Sequence, residues 1–403
     1  MDTSVPFEEA RRRVLAAARV VPAEAVPLAE APGRTLAGPA VSAGPLPPFD
    51  TSSMDGFAVR ADDVAAAPVE LPVAATVYAG RVGDRLGPGT AVGVMTGAPL
   101  PPGADAVVPV EWTARPSPDR VVVRRAPAPG QNVRRAGSAV GAGDRVLDAG
   151  ALVTPGAVGL LASIGAGRVE VRRRPRVAVV ATGDEVVAPG DPLGPGQIWD
   201  ANGPGLAAQV ERAGGAAVGP LVARDTGRDV SAALDASAEA DVVAFAGGVS
   251  VGERDLVRAE LERRGVAWSF WGVRQRPGKP LAFGALDGRP VVGLPGNPVS
   301  AAVCFEVYVR PLLAAMLGRP ARGRAGAVER GVLAEPVAKA EGLHTFARVV
   351  ARREGGRLRL WPAGAQGSHV ARSLADADGL AHLPAAWAEA PAGAGVDFER
   401  WAW

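Results

Sequence analysis

Residues 176–185 read Arg176-Val-Ala-Val-Val-Ala-Thr-Gly-Asp-Glu185. Five consecutive apolar residues, Val177 to Ala181, are too few for a helix, and a glycine turn that presents two carboxylates ends them. A short apolar run closed by a turn signals a strand buried on both faces. The same signal recurs at Ala216–Val222, Asp241–Ala246 and Pro290–Leu294, and helical spacing fills the intervals at Pro204–Ala213, Val230–Ala238 and Arg254–Arg264, then at Pro298–Leu317. Strand and helix in alternation predict a doubly wound, mostly parallel α/β sheet over residues 176–318.

Outward from that block the pattern changes. Phe7–Val20 carries apolar residues at helical spacing and predicts an amphipathic helix. Prolines at 22, 27, 32, 39, 45, 47 and 48 then predict an irregular linker. Between Val69 and Val123, β-rich runs at Pro72–Tyr78, Ala106–Val110 and Arg120–Arg124 predict a small β domain. Gly143–Val171 returns to hairpin and helix signals and is expected to pack back on the N-terminal helix. After a basic, glycine-rich hinge at Arg319, short strands at Phe346–Ala351, Leu358–Trp361 and Leu380–Leu383 form a terminal β module. The expected division is 1–45 with 135–175, then 46–134, 176–318 and 319–403.

Composition narrows the function. Forty-four basic against 42 acidic side chains leave +2, with no Lys/Arg run longer than three, so a nucleic-acid partner is not expected. Cys304 is the single cysteine, which excludes an internal disulfide, and the three histidines (His344, His369, His382) all fall in the last sixty residues. A Cys/His zinc site is therefore not expected, and any metal would be a hard one. The acidic start lacks the apolar core of a secretory signal, and the longest uncharged stretch is broken by Pro155 and glycines, so neither export nor a membrane span is expected. The expectation is a cytoplasmic protein.

In open parallel sheets ligands bind beyond the carboxyl ends of the strands. Three loops stand there. Thr182-Gly-Asp-Glu185 aims Asp184 and Glu185 from a strand end past Gly183. Ala246 to Asp255 brings Gly247, Gly248 and Ser250, whose backbone can approach a ligand before a helix begins. Leu294 to Ser300 sets Pro295 and Gly296 before Asn297, read as the N-cap, and Pro298, read as the first helical residue. Helix N-termini attract oxyanions, and Glu185, Glu253 and Asp255 beside them suit Mg²⁺ held between protein and phosphate. Arg274 to Pro280 adds Arg276 and Lys279, one of only two lysines among 44 basic residues, so an ammonium chosen for an anion contact is read there. Each loop alone is an ordinary turn or helix start; together on one sheet edge they predict a pocket for a small anionic molecule. In the first half, Asp50 and Asp55 between Pro48 and Val59, and Thr96 on a glycine turn, imply no chemistry alone and read first as hairpin turns of a β domain.

Taken in order, the segments PFDTSSMDGFAV (48–59), MTGAPLPPGADAVVPVE (95–111), GQNVRRAG (130–137), TGDE (182–185), GQIWDANG (196–203), AGGVSVGERD (246–255), RPGKPLAFG (276–284) and GLPGNPVSA (293–301) resemble the molybdopterin molybdenumtransferase family, the MoeA-type enzymes related to the E domain of gephyrin. The resemblance runs from about Phe7 to Pro384. It implies four domains, one of them split, with a central α/β domain of molybdopterin-binding type and a barrel-like C-terminal domain. It also implies an elongated homodimer with a cleft at the subunit interface. The implied reaction inserts molybdate into adenylylated molybdopterin with Mg²⁺ and releases AMP, with molybdopterin adenylyltransferase and apo-molybdoenzymes as partners. The positions matching the family's functional residues are Asp55, Thr96, Glu185, Asp225 and Asp255, joined by Lys279; Glu185 and Asp255 are implied for the metal and Ser250 with its glycines for the pterin phosphate. Two departures stand out. Ser138 and Ala139 follow Gly137 where the family has an acidic pair, and Gly272 and Arg276 stand where it has lysines. These departures keep a binding or scaffolding paralogue as an alternative. An adenylyltransferase is a second, against which the β domain and the 48–59 segment count.

Overall fold

The computed structural model describes residues 2–248, 256–320 and 328–401. Its centre is a seven-stranded sheet in the order Asp2–Val5, Ala267–Val273, Ala282–Leu286, Arg289–Leu294, Val242–Ala246, Arg176–Thr182, Ala216–Ala223. Strand Arg176–Thr182 shows why the sheet is covered on both sides. Val177 and Val179 join one apolar cluster with Leu206 and Val210 of helix Asn202–Arg212, while Ala178 and Val180 join another with Val230, Leu234, Val257 and Leu261 of helices Gly227–Ala236 and Leu256–Arg263. Alternate residues face opposite layers, so an uninterrupted apolar run is needed, each valine contributing about 1.5–3 kcal/mol.

The sheet is mostly parallel, as expected, with one strand reversed. The last four strands in that order run parallel, but Ala282–Leu286 is antiparallel to both Arg289–Leu294 and Ala267–Val273. The cause is local. Asp287 (φ 52°) and Gly288 (φ 75°) make a two-residue turn with both residues left-handed, a geometry that joins only antiparallel strands.

The N-terminal helix spans Phe7–Ala16, shorter than the periodicity suggests, because Val20 and Val21 before Pro22 favour extended backbone. It buries Phe7, Ala10 and Val14 in the α/β core beside Tyr308, not against residues 143–171. Residues 143–171 instead pack with Val26, Ala31 and Leu36. Nor is the proline-rich stretch wholly irregular: Ala23–Pro27, bracketed by Pro22 and Pro27, pairs antiparallel with Arg168–Arg172.

The β region forms a six-stranded sheet in the order Ala106–Pro109, Gly56–Val59, Ala91–Val94, Val69–Val77, Arg120–Val123, Thr113–Ser117. At the C-terminal end five strands close into a barrel, because His344–Glu354 pairs with both Arg357–Pro362 and Gly379–Leu383, and Val328–Leu333 and Gly395–Arg400 complete the ring. Gln275–Arg276 adds a short parallel pairing to that barrel. Helix Pro298–Met316 is long and apolar enough to cross a bilayer, but 94% of its apolar window is buried in this core.

Candidate active site

At the carboxyl ends of strands Arg176–Thr182, Val242–Ala246 and Arg289–Leu294 lies a cleft of about 470 Å³. Its walls bring together Thr182, Gly183, Glu185, Asp225, Gly247 and Gly248 with Pro295, Gly296, Asn297 and Pro298. The turns are built for close approach. Gly183 adopts φ 143°, a backbone conformation that L side chains rarely take, and the Glu185 carboxylate folds over it, with Oε2 2.5 Å from where a Cβ would lie. A Cβ on Gly247 (φ 99°) would sit 2.7 Å from the Thr182 carbonyl oxygen. Between these turns the Thr182 Oγ1 is buried without a hydrogen-bond partner among the described residues, an unsatisfied polar group at the cleft wall.

The acidic groups of this edge act on one another. The Asp225 N–H donates to Asp184 Oδ1 at 3.2 Å. Burial, and then the negative charges of Asp184 and Glu185, raise the Asp225 carboxyl above its ordinary pKa. Opposite them, Asn202 Nδ2 donates to the Gly296 carbonyl at 2.7 Å and ties helix Asn202–Arg212 to the 295–297 turn.

Several expected positions fall elsewhere. Asn297 precedes the helix, but its side chain makes no cap and donates to Ser368 Oγ at 3.2 Å. Ser300 is buried at the third position of that helix, away from the cleft lining. Pro280 reaches the cleft, whereas Lys279 is exposed and outside the lining, and Arg276 is exposed on the strand joined to the barrel. Asp55 and Thr96 do not line the cleft of their own chain. They form a unit in the β region: the Thr96 N–H donates to Asp55 Oδ1 at 2.7 Å and the Thr96 hydroxyl at 2.8 Å, and these two bonds hold the Asp55 carboxyl below its ordinary pKa. Ser250, Glu253 and Asp255 lie outside the described residues. Among the described residues, no three His, Cys, Asp or Glu side chains converge to hold a metal ion.

Residue order and topology match known proteins throughout. Residues 5–165 match the MoeA N-terminal region (domain I and II), residues 178–315 the probable molybdopterin binding domain, and residues 330–401 the MoeA C-terminal region (domain IV). The Molybdopterin molybdenumtransferase 2 of Mycobacterium tuberculosis is 41% identical over 379 residues, covering 91% of this chain and 92% of that one. That of Bacillus subtilis is 34% identical over 394 residues, covering 95% and 90%. The chain belongs to the MoeA family of molybdopterin molybdenumtransferases.

The MoeA fold is matched in three dimensions as well. A crystal structure of the molybdopterin biosynthesis moeA protein from Pyrococcus horikoshii OT3 superposes with a TM-score of 0.85 at 29% identity, covering 99% of this chain and all of that one. A second moeA crystal structure, also from Pyrococcus horikoshii, gives 0.84 at 33% identity, covering 98% of this chain and 99% of that one.

This MoeA chain's departures have structural settings. Gly272 adopts φ 90°, where a lysine would be strained. Ala139 is exposed, its N–H bonded to the Leu46 carbonyl at 3.0 Å. The sequence reading passed over Ile198, Trp199, Asp200 and Asn202, all of which line the cleft. The segment GQIWDANG contained the available signal: a tryptophan set among turn residues, with no apolar run to bury it.

Proposed function

We propose that this chain is a molybdopterin molybdenumtransferase that inserts molybdate into adenylylated molybdopterin and releases molybdenum cofactor and AMP. One observation carries the reading: Thr182, Glu185, Asp225 and the two glycine turns surround a single cleft in a chain that has all three MoeA regions. The chemistry balances without an oxidant. Two thiols replace one molybdate oxygen, which leaves with their protons as water, and one water is consumed when the phosphoanhydride splits.

Every reactant is anionic, so the protein's task is to position and to offset charge. The Thr182 hydroxyl has a free donor for a phosphate or molybdate oxygen. The glycine turns let that oxygen approach the backbone. Lys279, on the turn that ends in the cleft-lining Pro280, supplies a cation at the rim once the pocket is filled.

The residues present fit Mg²⁺, which takes one or two carboxylates and completes its shell with water and substrate phosphate oxygens. Asp184 and Glu185 already disfavour ionised Asp225, and a cation relieves that repulsion. Glu185, with Asp255, would hold the ion, which supplies charge neutralisation at the phosphoanhydride. Asp225 orders the same edge.

Asp55 and Thr96 enter through a homodimer, in which the β region of one subunit closes the cleft of the other; their absence from the cleft of their own chain supports this arrangement. Molybdopterin adenylyltransferase as donor, apo-molybdoenzymes as recipients and a cytoplasmic location complete the proposal. Ala139 and Gly272 favour a second reading, a cleft-binding paralogue with little turnover. Supplying adenylylated molybdopterin, Mg²⁺ and molybdate to the purified chain separates the two. AMP release that depends on molybdate, with reconstitution of an apo-molybdoenzyme, is expected; tight binding with neither product would leave only the paralogue.

A further inference from the structure

One wall of the cleft is of a different character from the rest. Ile198 is 56% exposed and Trp199 54% exposed, and both line the cavity that also holds Glu185 and Asp225. Leu193, 41% exposed, belongs to the same excursion between Glu185 and Asn202. Large apolar side chains left open beside a cleft mark binding surface, and tryptophan contributes most contact area for least lost freedom.

The excursion holds this wall in position. Val186–Val187 pairs parallel with Ile198–Trp199, the Ile198 N–H donates to the Glu185 carbonyl at 2.8 Å, and the Asp200 N–H donates to the Val187 carbonyl at 2.8 Å. The indole is fixed separately: Trp199 Nε1 donates to the Asp191 carbonyl at 2.8 Å. Asp200 Oδ1 accepts from the Gly203 N–H at 2.8 Å and anchors the end of the excursion to the next helix. A surface tryptophan pinned at its polar tip while much of it stays open has already lost the freedom a ligand would otherwise have to remove.

We infer that Trp199, backed by Ile198, is the platform on which the flat heteroaromatic ring of the substrate lies, and that it determines specificity for that ring. This rests on the proposed reading of the cleft and deepens it. The cavity lining combines polar groups, Thr182, Glu185 and Asp225, with the apolar side chains of Val186, Ile198 and Trp199, the two kinds of contact needed by a ligand in which a planar ring is joined to phosphate. Its volume of about 470 Å³ suits such a molecule. Two rings of the substrate qualify, the purine and the pterin, and they share one chemistry: a planar π-face carrying polar edges. Base-on-aromatic stacking does not require a particular hydrogen-bond pattern, so the platform selects for flatness while the polar groups select for charge.

The test uses the full-length chain and calorimetric titration with two separate probes, AMP and neopterin monophosphate, with inorganic pyrophosphate as the ring-free control. Trp199→Ala is expected to weaken binding of at least one ring-bearing probe by roughly 5- to 150-fold, leave pyrophosphate unchanged, and leave the thermal melt unaltered. Trp199→Phe should restore most of the loss. The probe that weakens identifies the ring. Equal affinity of Trp199→Ala and the parent for both probes would overturn the platform while the reading of the cleft stands. Failure of the parent to bind either probe would remove that reading and the platform with it. A change from dimer to monomer in Trp199→Ala, followed by light scattering, would assign the patch to a subunit contact and likewise overturn the inference.

Discussion

The hydroxyl of Tyr308 donates to Gln275 Oε1 in the interior, where both residues are fully buried. Gln275 Nε2 in turn donates to the Pro277 carbonyl at 3.1 Å and contacts Cys304 Sγ at 3.4 Å. One buried amide thus holds the turn that carries Lys279 and Pro280, and Gly278 has to be glycine because a Cβ there would lie 2.3 Å from Cys304 Sγ.

Tyr308→Phe leaves the Gln275 oxygen buried and unpaired, which costs about 1–3 kcal/mol. Chemical denaturation should register that loss. Because the same amide fixes the turn, AMP release should fall mainly through a raised KM for molybdate or the nucleotide, with kcat less affected. A stability loss with unchanged kinetics would detach this buried contact from the site.

Asp225 gives a prediction about pH. Its folded-state pKa is raised, so the folded chain holds the proton more tightly than the unfolded chain does. That contribution is complete below the unfolded carboxylate pKa of about 4 and is lost as pH rises through the folded value. At neutral pH the ionised group therefore costs stability. Asp225→Asn should melt above the parent at pH 7, and the difference should vanish below about pH 4. Adding Mg²⁺ should narrow the neutral-pH gap by stabilising the parent. An asparagine variant that melts lower at neutral pH would show that Asp225 is paired rather than repelled.

Arg310 bridges two parts of the chain inside the core. Its Nε donates to Glu306 at 2.7 Å on the same helix, and its terminal nitrogen pairs with Glu399 on the barrel. Burial pushes Glu399 upward, but the neighbouring His382 and Arg310 outweigh it and hold the carboxyl at about 2. Removing one partner of a buried ion pair strands the others, so Arg310→Met should cost about 3–5 kcal/mol. Calorimetry should show the barrel losing its cooperative unfolding with the α/β domain; one unchanged transition would mean the apolar contacts of Phe346, Leu380 and Trp401 suffice to dock it.

The α/β strands were legible because burial on both faces demands uninterrupted apolar runs, and Val177–Ala181 is such a run. Asp2–Val5 was not, since an edge strand that buries only Val5 carries no apolar pattern. Ala267–Val273 was missed for another reason: it pairs antiparallel through a glycine-bearing stretch and mixes serine with tryptophan, resembling neither a buried strand nor a helix. Site residues on strand ends, such as Thr182, Glu185 and Gly247, could be named because the turn chemistry is local. For Trp199 the turn residues around it signalled only that no apolar run buries it; that it lines a cleft depends on what packs near it. For Asn297 the local rule gave the position and tertiary contact with Ser368 took the side chain.

Asp55 and Glu185 bear on subunit arrangement. Asp55 is held by Thr96 in the β region, Glu185 lines the cleft of the α/β domain, and the two sit at different places on one chain. If a cleft is completed by the partner's β region, the two residues act together only across an interface, and each single substitution damages a different half of the same site. Asp55→Ala and Glu185→Ala homodimers should both lose AMP release. Mixing the two under conditions that exchange subunits should restore an appreciable fraction, because one cleft of each mixed dimer then receives an intact Glu185 from one chain and an intact Asp55 from the other. Mixed dimers verified by mass that stay inactive would put both residues in the service of a single chain's site, and the shared cleft would have to be abandoned.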